Sequence, residues 1–153
     1  MQELNLDDFA ETALLPADTT VTPTPLKVIR SETFDDFVNE LTPSDQQWLN
    51  RQSFTGKTGQ IAWLENGQGI IGSSSEDSLS TLGHLPYQLP EGVYRLTDDV
   101  SFIALLGWGL GGYRFDRYKQ ADRLPAQLIL PDSADAGELV HTIKATNLSR
   151  DLI

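Results

Sequence analysis

A glycine-rich segment is the first candidate for chemistry. Gly107-Trp-Gly-Leu-Gly-Gly112 fits the G-x-G-x-x-G pattern, whose glycines let a backbone approach a pyrophosphate at a helix N-terminus. Ser101–Leu106 would supply the strand, Tyr113–Ala121 the helix and Asp132 the acidic residue. However, the apolar residues recur at helical spacing through the glycines, and the second half of the segment is highly charged. We therefore predict one long helix over Val100–Tyr118, whose glycines allow close packing, and no cofactor-binding residue.

Other short motifs lack the partners that their chemistry needs. Thr55-Gly-Lys-Thr58 resembles the end of a phosphate-binding loop, but Arg51 stands where that loop needs a glycine, so a surface turn is predicted. His84 and His141, the only histidines, have no metal-ligand spacing. Ser73-Ser-Ser75 lacks a nucleophile elbow. The sequence thus predicts no catalytic residue and no metal ligand.

Three pairs of adjacent aspartates, Asp7-Asp8, Asp35-Asp36 and Asp98-Asp99, need an explanation as well. A metal site requires several oxygens that converge, and nothing in the spacing provides convergence. Asp98 or Asp99 precedes the apolar helix, where a carboxylate accepts from free N–H groups and suits the helix dipole. Helix capping is therefore the predicted role.

A basic and aromatic stretch follows the glycines. We predict an interdomain contact there, formed by Tyr113, Arg114, Phe115, Arg117, Tyr118 and Lys119. Such a stretch could instead pair with acids of the same chain, and this alternative stays open. Nucleic acid is not the expected partner, because 22 acidic and 11 basic residues give a net charge of −11.

These segments need a scaffold of alternating strands and helices. Strands are predicted at Leu26–Arg30, Val93–Leu96 and Ala126–Leu130, and a hairpin at Gln60–Glu65 and Gly69–Gly72 around Asn66-Gly67. Helices are predicted after Ser31 as the N-cap, near Pro43, over Ser78–Leu85 and from Ser133 to the end, with Leu139, Ile143 and Leu148 inward. This order predicts a three-layer α/β/α fold with a mixed sheet.

The ends of the chain and its composition indicate the expected cellular compartment. Residues 1–25 are acidic and contain proline and threonine, so we expect a poorly ordered or loosely draped arm before a domain over 26–153. The chain has no cysteine, and no apolar run approaches the about 20 residues of a membrane span. The acidic N-terminus is unlike a secretory signal. A cytoplasmic protein without a membrane partner is expected.

One segment resembles a known family. Leu105-Leu-Gly-Trp-Gly-Leu-Gly-Gly-Tyr-Arg-Phe-Asp-Arg-Tyr-Lys119 is similar to a helix of the bacterial leucyl aminopeptidases, the cytosol aminopeptidase family. Phe54–Gln60 and Leu89–Leu96 are similar to other parts of the family's N-terminal region. Thr146–Ile153, with its Arg-Asp-Leu-Ile ending, is similar to the helix that follows. The resemblance covers about Leu26 to Ile153.

The resemblance implies a macro-domain-like N-terminal domain of a two-domain metallo-aminopeptidase. In the family, a C-terminal catalytic domain holds two divalent metals, zinc or manganese, and removes N-terminal residues from peptides; its ligands have no counterpart in this chain. The 153 residues alone are therefore expected to be inactive. The implied partners are the catalytic domain, further copies in a hexamer, and peptides as substrates of the parent. The alternative is a macro-like module that binds ADP-ribose or a nucleotide.

Overall fold

The computed structural model of the protein describes residues 6–10, 12–113 and 124–151. Its strands form one sheet in the order β1-β6-β5-β2-β4-β3. The strands are β1 (Leu14–Leu15), β2 (Thr24–Arg30), β3 (Ile61–Trp63), β4 (Gly69–Ser73), β5 (Val93–Leu96) and β6 (Gln127–Ile129). The helices are α1 (Phe34–Glu40), α2 (Pro43–Arg51), α3 (Phe102–Gly111) and α4 (Ala136–Asp151).

The sheet is mixed, as predicted. Neighbouring strands pair in parallel except β3 and β4, which are antiparallel and are joined by the predicted hairpin. Gly67 has a φ of +91° at the turn, a conformation that glycine adopts without steric cost. The side chain of Asn66 accepts from the backbone N–H of Gln68 at 3.0 Å. The Asn-Gly pair therefore sets the register of this hairpin.

Helices cover both faces of the sheet. In β2, Val28 belongs to the apolar core beneath α3 and α4, whereas the adjacent Ile29 belongs to the core beneath α1 and α2. In β4, Ile71 belongs to the core beneath α3 and α4, and the adjacent Ile70 belongs to the core beneath α1 and α2. Because successive strand residues point to opposite faces, the two cores lie on opposite sides of the sheet. The three-layer α/β/α prediction is confirmed.

Residues 12–15 of the segment before β2 are packed, contrary to the expectation of a loose arm. The side chain of Leu14 is 1% exposed and that of Thr12 is fully buried. The Thr12 hydroxyl donates to the carbonyl of Phe9 at 2.6 Å and accepts from the N–H of Leu14 at 3.2 Å. β1 pairs with β6. The prediction is wrong for residues 12–15 because their apolar and backbone groups complete the sheet and its larger core.

Two predicted helix caps are also wrong. Ser31 lies in a short 3-10 turn, and α1 begins three residues later, after Thr33, without a side-chain cap. α3 follows Ser101, and its N-terminus is bound by Asp77 of a distant loop rather than by Asp98 or Asp99. Asp98 instead binds the ammonium of Lys27 and the backbone N–H of Val28.

Both long helices are shorter than predicted. α3 ends at Gly111, and residues 114–118 of the predicted helix lie outside the described residues. In α4, Leu139 and Ile143 are buried as predicted, but Leu148 is 63% exposed. A separation of five residues rotates Leu148 by about 140° from Ile143, so it leaves the buried face. In the described part of the chain, no helix combines the length and apolarity that crossing a bilayer requires.

Candidate functional site

The predicted interdomain contact is only partly visible. Of its six residues, Tyr113 is described, whereas Arg114, Phe115, Arg117, Tyr118 and Lys119 lie outside the described residues. The Tyr113 ring, just after α3, lies 5.4 Å from the guanidinium of Arg150 in α4. Arg150 also donates to the carbonyl of Leu110 at 3.1 Å. The predicted contact segment therefore begins at a point where the Arg150 side chain connects the end of α4 to the end of α3.

The glycine motif forms part of α3, as predicted, and does not form a nucleotide loop. A Cβ atom added to Gly107 would clash with the carbonyl oxygen of Leu79, and one on Gly111 would clash with that of Gly83. A Cβ on Gly109 would meet the side chain of Ile143 in α4. The glycines let residues 79–83 and α4 lie directly against α3, so no space is left there for a pyrophosphate.

The carboxyl ends of β2 and β4 carry a polar network that the sequence analysis did not identify. Arg30, the last residue of β2, forms an ion pair of 2.5 Å with Asp77. It also donates to the hydroxyl of Ser73 at 3.2 Å. Asp77 accepts from the backbone N–H of Ser101 at 2.7 Å. The network connects the end of the sheet to the start of α3.

Asp77 remains ionised in this network. Burial alone would raise the pKa of Asp77, but hydrogen bonds from Ser101 and Arg30, with the charge of Arg30, together outweigh burial and lower the pKa below 3.8. The carboxylate therefore remains a paired anion at neutral pH. It is not poised to act as a general acid or base.

A second ion pair lies between β2 and β5. Asp98 accepts from the ammonium of Lys27 at 3.1 Å and from the backbone N–H of Val28 at 3.3 Å. β5 ends at Leu96, opposite Leu26, so its backbone does not reach Val28. Asp98 replaces the missing strand partner, which explains why it does not cap α3.

These ion pairs bear on the nucleotide alternative. In open α/β sheets, ligands bind at the carboxyl ends of the strands where neighbouring connections diverge. Here β2 leads to α1 on one face and β5 leads to α3 on the other. The basic groups at this place, Lys27 and Arg30, are paired with carboxylates of the same chain. The geometry therefore does not favour binding of ADP-ribose or a nucleotide there.

An open cleft of about 230 Å³ lies between the start of α3 and the connection from β6 to α4. The Asp77 network reaches its rim at Ser101, between the lining residues Val100 and Phe102. Most of its lining is apolar and comes from Val100, Phe102, Leu105, Pro131 and Ala134. Ser133 and Asp135 add polar groups. The Asp135 carboxylate accepts from the N–H of Glu138 and so already caps α4. The cleft can receive an apolar side chain, and the one carboxylate among its described lining residues is engaged as the cap of α4.

The remaining sequence candidates are separate from one another. His141 is exposed on α4, whereas His84 is half-buried in the loop before β5. Burial lowers the pKa of His84 below 6.5, and a hydrogen bond to the carbonyl of Ser80 only partly offsets it. Within the described ranges, no three His, Asp or Glu side chains are grouped to hold a metal ion. The described residues therefore do not fit the dimetal centre that the resemblance implies for the parent.

Comparison with known proteins identifies the family. A family model described as the N-terminal domain of the M17 aminopeptidases matches residues 24–131. The chain belongs to this family. The resemblance to this family that the segment starting at Leu105 and the other motifs predicted is therefore confirmed for the M17 N-terminal domain.

A solved structure agrees with the family. The 1.8 Å crystal structure of a cytosol aminopeptidase from Coxiella burnetii superposes with a TM-score of 0.77 and 26% sequence identity. The match covers 92% of this M17 N-terminal domain and 33% of the C. burnetii chain. The present chain thus spans about a third of the length of that relative. A search of curated proteins gave no match.

Proposed function

We propose that this chain is the noncatalytic N-terminal domain of a leucyl-type metallo-aminopeptidase, a cytoplasmic enzyme that removes N-terminal residues from peptides. The family match over residues 24–131 carries the proposal. The similarity to one third of a cytosol aminopeptidase supports it, because the other two thirds of that chain leave room for a separate catalytic domain.

The proposed role of the domain is to pack against its own catalytic domain and to take part in assembly, by resemblance as a hexamer. The segment Tyr113–Lys119 is the first proposed contact. Its entry point is fixed, since Arg150 holds both the Tyr113 ring and the end of α3. A fixed entry point reduces the conformational entropy that a contact segment loses on docking.

The proposed chemistry belongs to the catalytic domain. There, two divalent metals, zinc or manganese, would activate a water and polarise the peptide carbonyl. The described residues of this chain do not fit such a centre, and we assign no step of peptide hydrolysis to them. Their contribution to the enzyme is positional.

Hydrolysis of leucine p-nitroanilide tests this function. The 153-residue chain, supplied with manganese or zinc, is expected to show no metal-dependent turnover. A longer polypeptide that continues from this chain into an M17 catalytic domain is expected to hydrolyse the substrate. Robust turnover by the 153 residues would overturn the proposal.

Calorimetric titration with ADP-ribose tests the alternative binding module. We expect no heat of binding at millimolar ligand, because Lys27 and Arg30 are already neutralised by Asp98 and Asp77. Saturable binding would make the nucleotide alternative the better account of this domain.

A further inference from the structure

Three large apolar side chains are exposed on the first half of α3 and on the loop packed against it. Leu79, Phe102 and Ile103 are 44%, 39% and 42% exposed, and we call them the α3 apolar patch. Phe102 and Ile103 occupy the first turn of the helix. The backbone of Leu79 lies against Gly107, one turn after Ile103 on the same face of α3, so Leu79 extends the patch towards the middle of the helix.

The patch continues into the cleft described above. Phe102 belongs to both, and Val100, Leu105, Pro131 and Ala134 extend the apolar lining. Exposed apolar surface that is continuous with a concave site is typical of a protein interaction surface rather than of scattered exposed residues.

The backbone beneath the patch is held in place. The loop that carries Leu79 is stabilised by a capping box between Ser78 and Thr81. Asp77, at the start of this loop, binds both Arg30 and the N–H of Ser101. A surface that is fixed before binding loses little entropy on association.

The charge around the cleft restricts the partner. Asp99, Asp132, Asp135 and Glu138 are exposed at or next to the residues that line it. No lysine or arginine lines the cleft in the described part of the chain. A second copy would bring the same acids face to face, and like charges oppose such a contact. A partner whose apolar side chains are bordered by basic residues is complementary.

We propose that the α3 apolar patch and the adjoining cleft dock the catalytic domain of the parent enzyme, through a bulky apolar side chain of that domain bordered by lysine or arginine. This inference rests on the proposed function. The catalytic domain is the occupant because two thirds of the matched cytosol aminopeptidase chain have no counterpart here. That domain is joined to this one, so its high effective concentration favours a contact of modest area.

This surface is distinct from the segment Tyr113–Lys119. Phe102 and Ile103 of the patch lie in the first turn of α3, whereas Tyr113 follows its last turn. Ten helical residues separate the two ends by about 15 Å. Docking at the patch therefore places the catalytic domain beside the carboxyl ends of the parallel strands.

Hydrogen exchange measured by mass spectrometry distinguishes the two surfaces. The 153-residue chain is compared with the longer polypeptide that continues into the catalytic domain. The backbone N–H groups of Phe102 and Ile103, in the first helical turn, have no partner within α3. We expect exchange in peptides covering 100–106 and 131–136 to slow by about tenfold in the longer polypeptide.

The double substitution Phe102→Ser and Ile103→Ser is expected to remove that protection. Both side chains are exposed, so the variant should fold, which circular dichroism of the 153-residue chain checks. Val21→Ser is the matched control, because Val21 is 55% exposed and lies just before β2, at the opposite end of the sheet. It should leave the protection unchanged.

Each outcome decides the inference. Protection at 100–106 and 131–136 that the double variant loses supports it. Protection confined to peptides around 113–124 overturns it but leaves the proposed function standing. Slower exchange that depends on protein concentration identifies a second copy as the occupant and also overturns it. Equal exchange everywhere in both polypeptides overturns the inference and the interdomain role together.

Discussion

The indole N–H of Trp108 donates a hydrogen bond of 3.0 Å to the carbonyl of Ala13, 95 residues earlier in the chain. The same carbonyl accepts from the N–H of Leu128 at 3.0 Å. One oxygen atom thus joins the N-terminal segment to α3 and to β6. Trp108 is fully buried at this junction.

Substitution Trp108→Phe should therefore destabilise the domain. The phenyl ring keeps most of the apolar packing but loses the indole donor and some volume, and we expect a cost of about 1–2 kcal/mol. Urea unfolding measures it. Trp48→Phe is the control, since Trp48 is 37% exposed and should change stability by about 0.5 kcal/mol or less. Equal effects at the two positions would contradict the role of the hydrogen bond.

The end of α2 offers a stabilising substitution. The N–H groups of Ser53 and Phe54 donate to the carbonyls of Asn50 and Leu49, the pattern of a Schellman motif. Ser53 has a φ of +57°, where glycine is favoured. Ser53→Gly should raise the free energy of unfolding by about 0.5–1 kcal/mol, measured by thermal or urea unfolding. Ser53→Val should lower it, and the reverse order would show that this residue is not strained.

Two helical glycines give a matched pair. A methyl group on Gly107 would meet the backbone of Leu79, whereas one on Gly137 in α4 would have only the Asp135 carboxylate at 3.7 Å. Gly107→Ala should destabilise the domain by about 2 kcal/mol or more, because backbone must move. Gly137→Ala should stabilise it by up to about 1 kcal/mol through helix propensity. Similar values for both variants would contradict close packing at Gly107.

The Asp77 network predicts a dependence of stability on acid pH. The folded pKa of Asp77 lies below 3.8, so its contribution is fully present above the unfolded pKa. It is lost as the pH falls through 3.8 toward the folded pKa, because the unfolded state then binds more protons. The free energy of unfolding, measured between pH 6 and pH 3, should depend less on pH in Asp77→Asn than in Asp99→Asn, since Asp99 is exposed. Identical pH profiles would contradict the network.

His84 predicts a second dependence at a higher pH. Its folded pKa lies below 6.5 because burial disfavours the charged ring. As the pH falls below 6.5, the unfolded state takes up the proton first, so stability declines until the folded pKa is reached. His84→Gln should remove this decline, whereas His141→Gln should retain it because His141 is exposed. Direct titration by NMR checks the sign, and a folded pKa above 6.5 would contradict it.

The sequence predicted the elements whose signals are local. The Asn66-Gly67 hairpin depends on turn residues, and the start of α2 depends on Pro43 and on Thr42, whose side chain accepts from the N–H of Asp45 at 3.2 Å. The burial of Leu139 and Ile143 follows from helical periodicity. These features are determined within a few residues, so their patterns can be recognised without knowledge of the fold.

The features that the sequence did not predict depend on distant partners. Asp77 binds the N-terminus of α3 from 24 residues away, and Asp98 completes the pairing of β2. The burial of Leu14 depends on β6, more than a hundred residues later. The α3 apolar patch combines Leu79 with the first turn of α3 only because Gly107 permits close approach. Predicting these contacts would have required the order of the strands in the sheet.

The two strands at the edges of the sheet are short. β1 has two residues and β3 has three. Unpaired strand edges act as templates for pairing with other chains and so promote aggregation. By pairing with the apolar strand β6, the two residues of β1 leave an edge with few unpaired backbone groups. Part of the segment that composition predicts to be a loose arm thus covers a sheet edge that would otherwise be open to another chain.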